Sequence, residues 1–279
     1  MNQLEISGFL GAASFLAGFL GALSGLGGGV VIVPLLVLAF GVDIHYAMGA
    51  SLVSVIATSS GAAAAYVREG ISNIRIGMFL EIATTIGAIV GALLASSSPT
   101  RLLAVVFGIV LLYSAGMSVR RRKPAATDGP PDRIARMLRL DGAMPVDGDW
   151  IPYRTRRVPL GFGLMFGAGT LSGLLGIGSG AVKVLAMDEA MQIPFKVSTT
   201  TSNFMIGVTA AASAGIFLSR GYIQPGLAMP VTLGVLAGSI LGARFLTRAK
   251  VKTIRIIFAI VIASLGVEMI YNAFSGRLS

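Results

Sequence analysis

Residues 18–34 read GFLGALSGLGGGVVIVP, and residues 169–185 read GTLSGLLGIGSGAVKVL. The two stretches lie 151 positions apart (169 − 18 = 151), and each joins two apolar runs through a glycine-rich break. The same offset pairs seven glycines without a gap: Gly18/Gly169, Gly25/Gly176, Gly27/Gly178, Gly29/Gly180, Gly70/Gly221, Gly87/Gly238 and Gly91/Gly242. Two unrelated windows of similar glycine content would share about two matches by chance, so the chain is predicted to be an internal duplication.

The composition indicates a membrane protein. Of the 279 residues, 54% are hydrophobic and 12% are charged, and the mean hydropathy is +0.83. Soluble domains carry about a quarter charged residues. The apolar stretches mostly approach the roughly 20 residues that a helix needs to cross the hydrocarbon core. They do not alternate as barrel strands do. We therefore expect an all-α polytopic membrane protein.

Ten apolar segments, five per half, lie between glycine, proline and basic residues. They cover about residues 6–24, 27–41, 45–67, 75–96 and 99–118, then 158–175, 178–191, 196–219, 225–247 and 251–273. The second segment of each half, about 15 residues or about 22 Å of helix, is shorter than the roughly 30 Å core and either crosses or re-enters. We interpret residues 1–118 as a first transmembrane repeat, 119–157 as a basic linker and 158–279 as a second repeat.

The positive charges predict the topology. The linker holds ten of the arginines and lysines, and the positive-inside rule places it in the cytoplasm. If all ten segments cross, the loop from Arg248 to Lys252 is cytoplasmic as well, whereas two re-entrant segments would move it outside. Five crossings per half give the second repeat the opposite orientation. We expect inverted-topology repeats with glycine-broken helices in the plasma (inner) membrane, with the net charge of +10 facing lipid headgroups rather than nucleic acid.

Within the linker, residues 131–139 are expected to form a short amphipathic helix with Ile134, Met137 and Leu138 on one side. Such a helix lies on the leaflet, or it is part of a solvated linker whose arginines only set the topology.

The two breaks are candidate anion sites. A break exposes backbone N–H groups at the start of the next helix, where the helix dipole adds positive charge. In carriers built from inverted repeats, broken helices of this kind meet near the membrane midplane and point at the substrate. Small residues also permit close helix packing, which is the structural alternative. The predicted substrate-binding residues of the breaks are Gly27, Gly28, Gly29, Gly178, Ser179 and Gly180.

Small polar residues accompany the breaks. Ser51 and Ser202 match under the 151-residue offset, as do Thr58 and Thr209, and Asn203 follows Ser202. Their hydroxyl and amide donors suit an oxyanion that must be released again. Such residues also commonly bond to their own helix backbone. We predict that Ser51, Ser202 and Asn203 contact the substrate.

Two charged residues lie inside apolar segments. Lys183 follows Gly180 by three positions, where the first half has Ile32. A buried ammonium is costly unless it is paired or hydrated, so Lys183 is either the countercharge of an anionic substrate or the partner of Asp188, Glu189 or Glu81. Glu81 is the leading candidate for a coupling carboxylate.

The run from Gly25 to Pro34, the run from Leu171 to Gly180, Ala50-Ser51, Thr200-Thr201-Ser202 and the run from Gly238 to Arg244 together resemble the signatures of the sulfite exporter TauE/SafE family. The resemblance covers both halves but not the linker. It implies a plasma-membrane permease for sulfite, sulfoacetate or related organosulfur anions. The second copy departs from the pattern, because Leu185 stands where the first copy has Pro34, and because Lys183, Asp188 and Glu189 replace apolar residues.

We therefore expect a secondary transporter of a small sulfur-containing anion that works by alternating access and is coupled to a proton or to sodium. An anion channel, an importer of a related anion and a non-transporting membrane scaffold are the alternatives. The chain has no zinc-protease or serine-hydrolase motif, and it has no cysteine, so an enzyme is not expected. No cofactor and no metal are predicted.

Overall fold

The computed structural model describes residues 3–24, 29–68, 72–119, 132–146, 149–246 and 251–276. Two antiparallel strands pair in this part of the chain, and the other elements are helical. The helices are α1 (Gln3–Ser24), α2 (Gly29–Phe40), α3 (Ile44–Arg68), α4 (Ile74–Ser97), α5 (Thr100–Val119), α6 (Arg133–Met137), α7 (Val158–Leu175), α8 (Gly180–Leu185), α9 (Phe195–Ser219), α10 (Pro225–Leu246) and α11 (Val251–Phe274). The strands are β1 (Gly142–Val146) and β2 (Asp149–Tyr153), and a π-helical turn (Ala186–Ala190) follows α8.

Helices occupy all ten predicted apolar segments. The predicted segment 75–96, for example, is α4 (Ile74–Ser97), and the predicted segment 178–191 is α8 with its π-helical turn. Within the described ranges, four helices are long and apolar enough to cross a membrane: 74–97, 158–175, 195–219 and 225–242. Shorter apolar helices lie at 7–21, 29–40, 100–116 and 259–274. The architecture is that of a polytopic membrane protein.

The outward faces of the long helices are apolar. Ile109 of α5 is 56% exposed, Leu233 of α10 is 63% exposed and Ile260 of α11 is 64% exposed. In water such a surface would promote association, but in a bilayer it contacts lipid. Most of the buried polar side chains instead lie between the helices, on α3, α4, α8 and α9.

Glycines allow two pairs of helices to pack backbone against backbone. A Cβ atom on Gly87 or Gly91 of α4 would collide with main-chain atoms of α7, namely the carbonyls of Phe166 and Thr170. A Cβ on Gly238 of α10 would collide in the same way with a carbonyl of α1. Small-residue faces of this kind permit close contact either within one chain or between two chains. The structure shows that they serve contacts within one chain.

α2 and α3 lie at the centre of the larger apolar core. The side chains of Ile32, Leu36, Ile44 and Leu52 are fully buried there. Because α2 is only 12 residues long and mostly buried, its neighbours rather than lipid enclose it. The short second segment of the first half is therefore an inner helix.

The part of the linker that the structure describes is folded, and it differs from the all-α expectation. α6 spans five residues, and Asp132 caps it by accepting the Ile134 N–H at 2.8 Å. Met137 is 82% exposed, whereas Ala135 and Leu140 are buried. The strands β1 and β2, which were not predicted, pair antiparallel through alternating residues such as Met144 and Ile151. Sequence periodicity missed this hairpin because its strands are only five residues long and each contains a proline.

Asn73, just before α4, holds the linker against the second half. Its side chain donates to the Leu140 carbonyl (3.2 Å) and to the Tyr153 Oη (2.8 Å), and it also caps α4 through the Ile76 N–H (3.1 Å). Its own N–H donates to the Thr201 Oγ1 of α9 at 3.0 Å. Burial raises the pKa of the Tyr153 phenol, so this group stays protonated at neutral pH. The linker thus packs on the ends of α4 and α9.

We expect Gly169→Ala to destabilise the protein by about 1–3 kcal/mol, because the added methyl group collides with the Thr84 backbone of α4. Gly167→Ala is the matched control on the same helix, where a Cβ meets nothing within 4 Å. There the change should be neutral, or stabilising by roughly 0.5–1 kcal/mol. Thermal unfolding in detergent measures both variants. Equal melting temperatures would contradict the close packing of α4 on α7.

We expect Asn73→Ala to lower the free energy of unfolding by about 1 kcal/mol, because the helix cap is lost. Each of the two lost hydrogen bonds to the linker should lower it by about 1 kcal/mol more. Tyr153→Phe, which removes one of these bonds, should cost less. Thermal unfolding compares the two variants. A lower melting temperature for Tyr153→Phe than for Asn73→Ala would refute the role assigned to Asn73.

Candidate functional site

The two breaks meet in space. A Cβ atom on Gly29, where α2 begins, would lie 3.2 Å from the carbonyl oxygen of Ile177 in the second break. The side chain of Val55 on α3 lies next to both Gly29 and Gly178. α3 and α9 pack together at this point. Segments separated by about 150 residues in sequence therefore form one buried centre.

The second break has a left-handed backbone. Gly176 has φ +67°, Gly178 has φ +73° and Ser179 has φ +42°. A left-handed conformation at a residue other than glycine costs about 1–3 kcal/mol. The Ser179 Oγ donates to the Ala168 carbonyl at 2.7 Å and helps to hold this conformation. The turn between α7 and α8 therefore holds backbone strain at a buried position.

The two predicted serines bind the breaks. The Ser51 Oγ donates to the Gly176 carbonyl at 2.8 Å and lies 3.5 Å from the Gly29 carbonyl, so it links both breaks. The Ser202 Oγ donates to the Gly180 carbonyl at 3.3 Å. Both hydroxyl protons are directed at the protein itself in this conformation. A substrate oxyanion would compete with these carbonyls for the two donors.

Lys183 is completely buried and binds a hydroxyl. Its Nζ donates to the Thr209 Oγ1 at 2.5 Å and to the Met205 carbonyl at 3.4 Å. The Thr209 Oγ1 in turn donates to the Glu81 Oε1 at 2.7 Å. Of the three partners considered for Lys183, the structure favours Glu81, reached through Thr209. We call Lys183, Thr209 and Glu81 the charged relay.

Glu81 is only 8% exposed. Its Oε1 also accepts the Thr85 hydroxyl at 3.2 Å, while its Oε2 has no hydrogen-bond partner among the described residues. An isolated buried charge costs several kcal/mol, so the ammonium and the carboxylate stabilise each other across the Thr209 hydroxyl. The bridge leaves each charged group able to bind something else.

The site that the 151-residue offset relates to the charged relay carries no charge. Under this offset, Lys183 corresponds to Ile32, Glu81 to Thr232 and Thr209 to Thr58. The Thr58 Oγ1 donates to the Ser54 carbonyl of its own helix at 3.0 Å, and the Ser54 Oγ lies 3.3 Å from the Thr232 Oγ1. The three corresponding residues are thus an apolar residue and two threonines, whereas the relay takes one charge from each half.

The remaining predicted residues are placed as follows. Gly180 opens α8 and is buried, and Asn203 is half-buried next to Ser202 on α9. Gly27 and Gly28 lie outside the described residues. α8 has only six residues, so its dipole is weak, and the positive charge near the second break comes from Lys183.

Thr209 was not among the predicted substrate-binding residues. The only signal was its match with Thr58 under the offset, because a threonine inside a helix usually bonds to its own backbone. Thr209 does bond to the Met205 carbonyl at 2.8 Å, but it also joins two charges from different helices. The packing of α4 on α9 determines this role.

These features define a polytopic membrane protein with a buried, partly charged centre. The family model for the sulfite exporter TauE/SafE matches residues 10–269. The chain therefore belongs to the TauE/SafE family of membrane transporters. It is also similar to two proteins of Bacillus subtilis (strain 168), the probable membrane transporter proteins YunE and YdhB. It is 28% identical to YunE over 89% of this chain and 91% of YunE, and 28% identical to YdhB over 83% of this chain and 86% of YdhB. No solved structure matches.

We expect Ser51→Ala to destabilise the protein by about 1 kcal/mol, because the Gly176 carbonyl loses its buried donor. Ser60→Ala is the control, since Ser60 is exposed on the same helix and bonds only to the Ile56 carbonyl of that helix. Thermal unfolding of both variants tests the link between the breaks. A Ser51→Ala protein as stable as the control would show that the link carries no energy.

Proposed function

We propose that this protein is a secondary transporter that moves a small sulfur-containing anion, such as sulfite or an organosulfonate, by alternating access. The observation that carries the proposal is the buried ammonium of Lys183, three residues beyond a strained break, in a chain of the TauE/SafE family. The family description supports the sulfur oxyanion as substrate. A cation enclosed by protein supports an anion in general.

The helix boundaries support two repeats. α2 and α8 begin at Gly29 and Gly180, α3 and α9 at Ile44 and Phe195, α4 and α10 at Ile74 and Pro225, and α5 and α11 at Thr100 and Val251. Each pair of starts differs by 151 residues (for example, 180 − 29 = 151). With five helices per unit, an odd number of crossings inverts the second unit relative to the first. The glycine-broken segments between α1 and α2 and between α7 and α8 are then equivalent.

The contacts between helices also support two related repeats. α1 packs on α10, and α7 packs on α4, as a two-fold axis in the membrane plane requires. α3 packs on α9 and α5 packs on α11, so these helices pair with their own counterparts. Carriers of this kind bind substrate at the repeat interface and move one unit against the other. The meeting point of the breaks lies at this interface.

The substrate would be bound by donors that the protein already uses. Lys183 supplies the charge, Ser51 and Ser202 supply hydroxyl protons, and the left-handed turn at Gly178 and Ser179 presents backbone N–H groups of the kind that form anion-binding nests. Asn203, Gly180 and the first break at Gly27, Gly28 and Gly29 complete the proposed cradle. When the anion leaves, the carbonyls and Thr209 take the donors back, which lowers the barrier to release.

The burial of the site favours a carrier over an open channel. Lys183 and Ser51 are fully buried, and Ser179 and Ser202 are at most 4% exposed. A carrier must pass through a closed state of this kind, whereas a channel keeps a continuous aqueous path. We place the protein in the plasma (inner) membrane with the basic linker in the cytoplasm. Whether transport runs outward, as in the family description, or inward depends on the gradients of the anion and of the coupling ion.

Anion-dependent thermal stabilisation of the purified protein tests the substrate class. We expect one of sulfite, thiosulfate, sulfoacetate or taurine to raise the melting temperature where chloride and sulfate do not. A ligand at a hundred times its Kd contributes about 2.7 kcal/mol. Lys183→Ala should lose the shift, whereas Lys196→Ala, which removes an exposed lysine of α9, should keep it.

Flux in proteoliposomes distinguishes the mechanisms. A carrier exchanges labelled anion for unlabelled anion on the opposite side, so preloading with substrate should accelerate uptake. A channel shows no such counterflow. A protein that neither binds nor moves any of these anions would favour the membrane scaffold.

A further inference from the structure

The charged relay contains one acceptor that the protein leaves unused. The Oε2 atom of Glu81 is buried and has no hydrogen-bond partner among the described residues, although its sister atom Oε1 accepts two hydroxyls. Buried carboxylate oxygens are seldom left without a partner. Protonation of Oε2 would convert a charged acceptor into a neutral acid without breaking a hydrogen bond made by the described residues.

The charge balance of the relay changes when an anion arrives. Before an anion binds, the positive charge of Lys183 and the negative charge of Glu81 compensate each other through Thr209. An anion bound at Lys183 adds a second negative charge to a site from which water is excluded. Two negative charges that share one cation disfavour ionisation of the weaker acid, which is the carboxyl group. Glu81 then loses its compensation and gains affinity for a proton.

We propose that Glu81 takes up one proton from the aqueous phase when an anion binds to Lys183, so that the protein carries the anion and a proton together. The proton adds to the Oε2 of Glu81 to form an O–H group, and no bond of the anion breaks. The proposal rests on the transport function proposed above and names its coupling ion. Anion and proton travel in the same direction, so an acidic side favours transport toward an alkaline side.

No other described titratable group faces Glu81 closely. Helix α7 carries none, and α9 carries only Lys196, exposed in its first turn. On the segment of Lys183, Asp188 is buried with interactions of its own, and Glu189 is exposed. The linker brings Tyr153, whose phenol accepts from Asn73, and α4 itself carries Arg75, which is exposed. The described titratable side chains of α3 are His45, which lies 3.2 Å from the Ala95 carbonyl near the far end of α4, and Tyr46, which packs on Tyr222.

The site related to the relay by the 151-residue offset predicts the stoichiometry. Its residues are Ile32, Thr232 and Thr58, none of which binds a proton near neutral pH. Of these two related sites, the relay alone can therefore gain a proton. One proton per bound anion is expected, and not two.

Proton uptake on anion binding tests the proposal directly. Sulfite, thiosulfate or sulfoacetate is added to the full-length protein in weakly buffered detergent solution with a pH-sensitive dye, and bound anion is measured in parallel. We expect about one proton per bound anion in the native protein and none in Glu81→Gln. The difference between the two cancels any titration of the anion itself. Thr232→Val, at the position that the 151-residue offset pairs with Glu81, should keep the uptake.

The pH dependence of affinity gives a second measurement that needs no variant. Because binding of the anion and of the proton are linked, the affinity should rise as the pH falls, by about tenfold per pH unit while one proton is taken up. Glu81→Gln should remove this slope. In proteoliposomes, an acidic exterior should accelerate uptake of the anion.

The outcomes separate the two proposals. Binding without proton uptake, with an affinity that is flat in pH or that requires sodium, would overturn proton coupling and leave anion transport standing. Failure of every anion to bind at any pH would overturn the transport proposal and this inference with it.

Discussion

The structure depends on one constraint, which is that a polar group between membrane helices must find its partner inside the protein. Backbone groups meet this requirement within the helices, and the difficulty is greatest where a helix is broken. Here the side chains of α3 and α9 supply hydrogen-bond donors, since Ser51 and Ser202 donate to the buried carbonyls of Gly176 and Gly180. Lys183 meets the same requirement through Thr209. The side chains that stabilise this buried centre are therefore the ones that the proposed substrate would have to bind. A substitution that weakens the centre would for this reason weaken substrate binding as well.

Close packing of the outer helices gives this centre its geometry. α4 approaches α7 through Gly87 and Gly91, and Glu81 lies on α4 less than two turns before Gly87. The backbone contact fixes the position of Glu81 relative to α9, so that the Thr209 hydroxyl reaches it. A larger side chain at the glycines would displace the carboxylate as well as the helix. The glycines on α4 thus determine where the Glu81 carboxylate lies, in addition to the role of other glycines in the breaks.

Much of the fold follows from the sequence, because lipid restricts the length and polarity of every segment. For this reason the ten apolar segments and the offset of 151 residues can be identified from the sequence. The partner of Lys183 could not be identified in this way, since Asp188, Glu189 and Glu81 all satisfied the requirement for a countercharge. Only the packing of α4 on α9 brings Glu81 to Thr209. The linker hairpin was missed because its strands are short, although Asp147-Gly148 is a strong turn signal. The roles of Gly27 and Gly28 stay predictions.

The difference between the halves is informative because the backbone boundaries repeat so closely. A duplicated scaffold with identical halves would present the same chemistry to both sides of its axis. Here one of the two related sites has Ile32 and Thr232, which require no compensation, while the other has Lys183 opposite Glu81. An unpaired charge would be costly at such a buried place, so Lys183 and Glu81 each require the other. A pair of this kind adds little to stability, and hydrophobic residues would fill the space as well. In the function proposed above, the separated charges would instead serve binding, of an anion on one side of Thr209 and of a proton on the other.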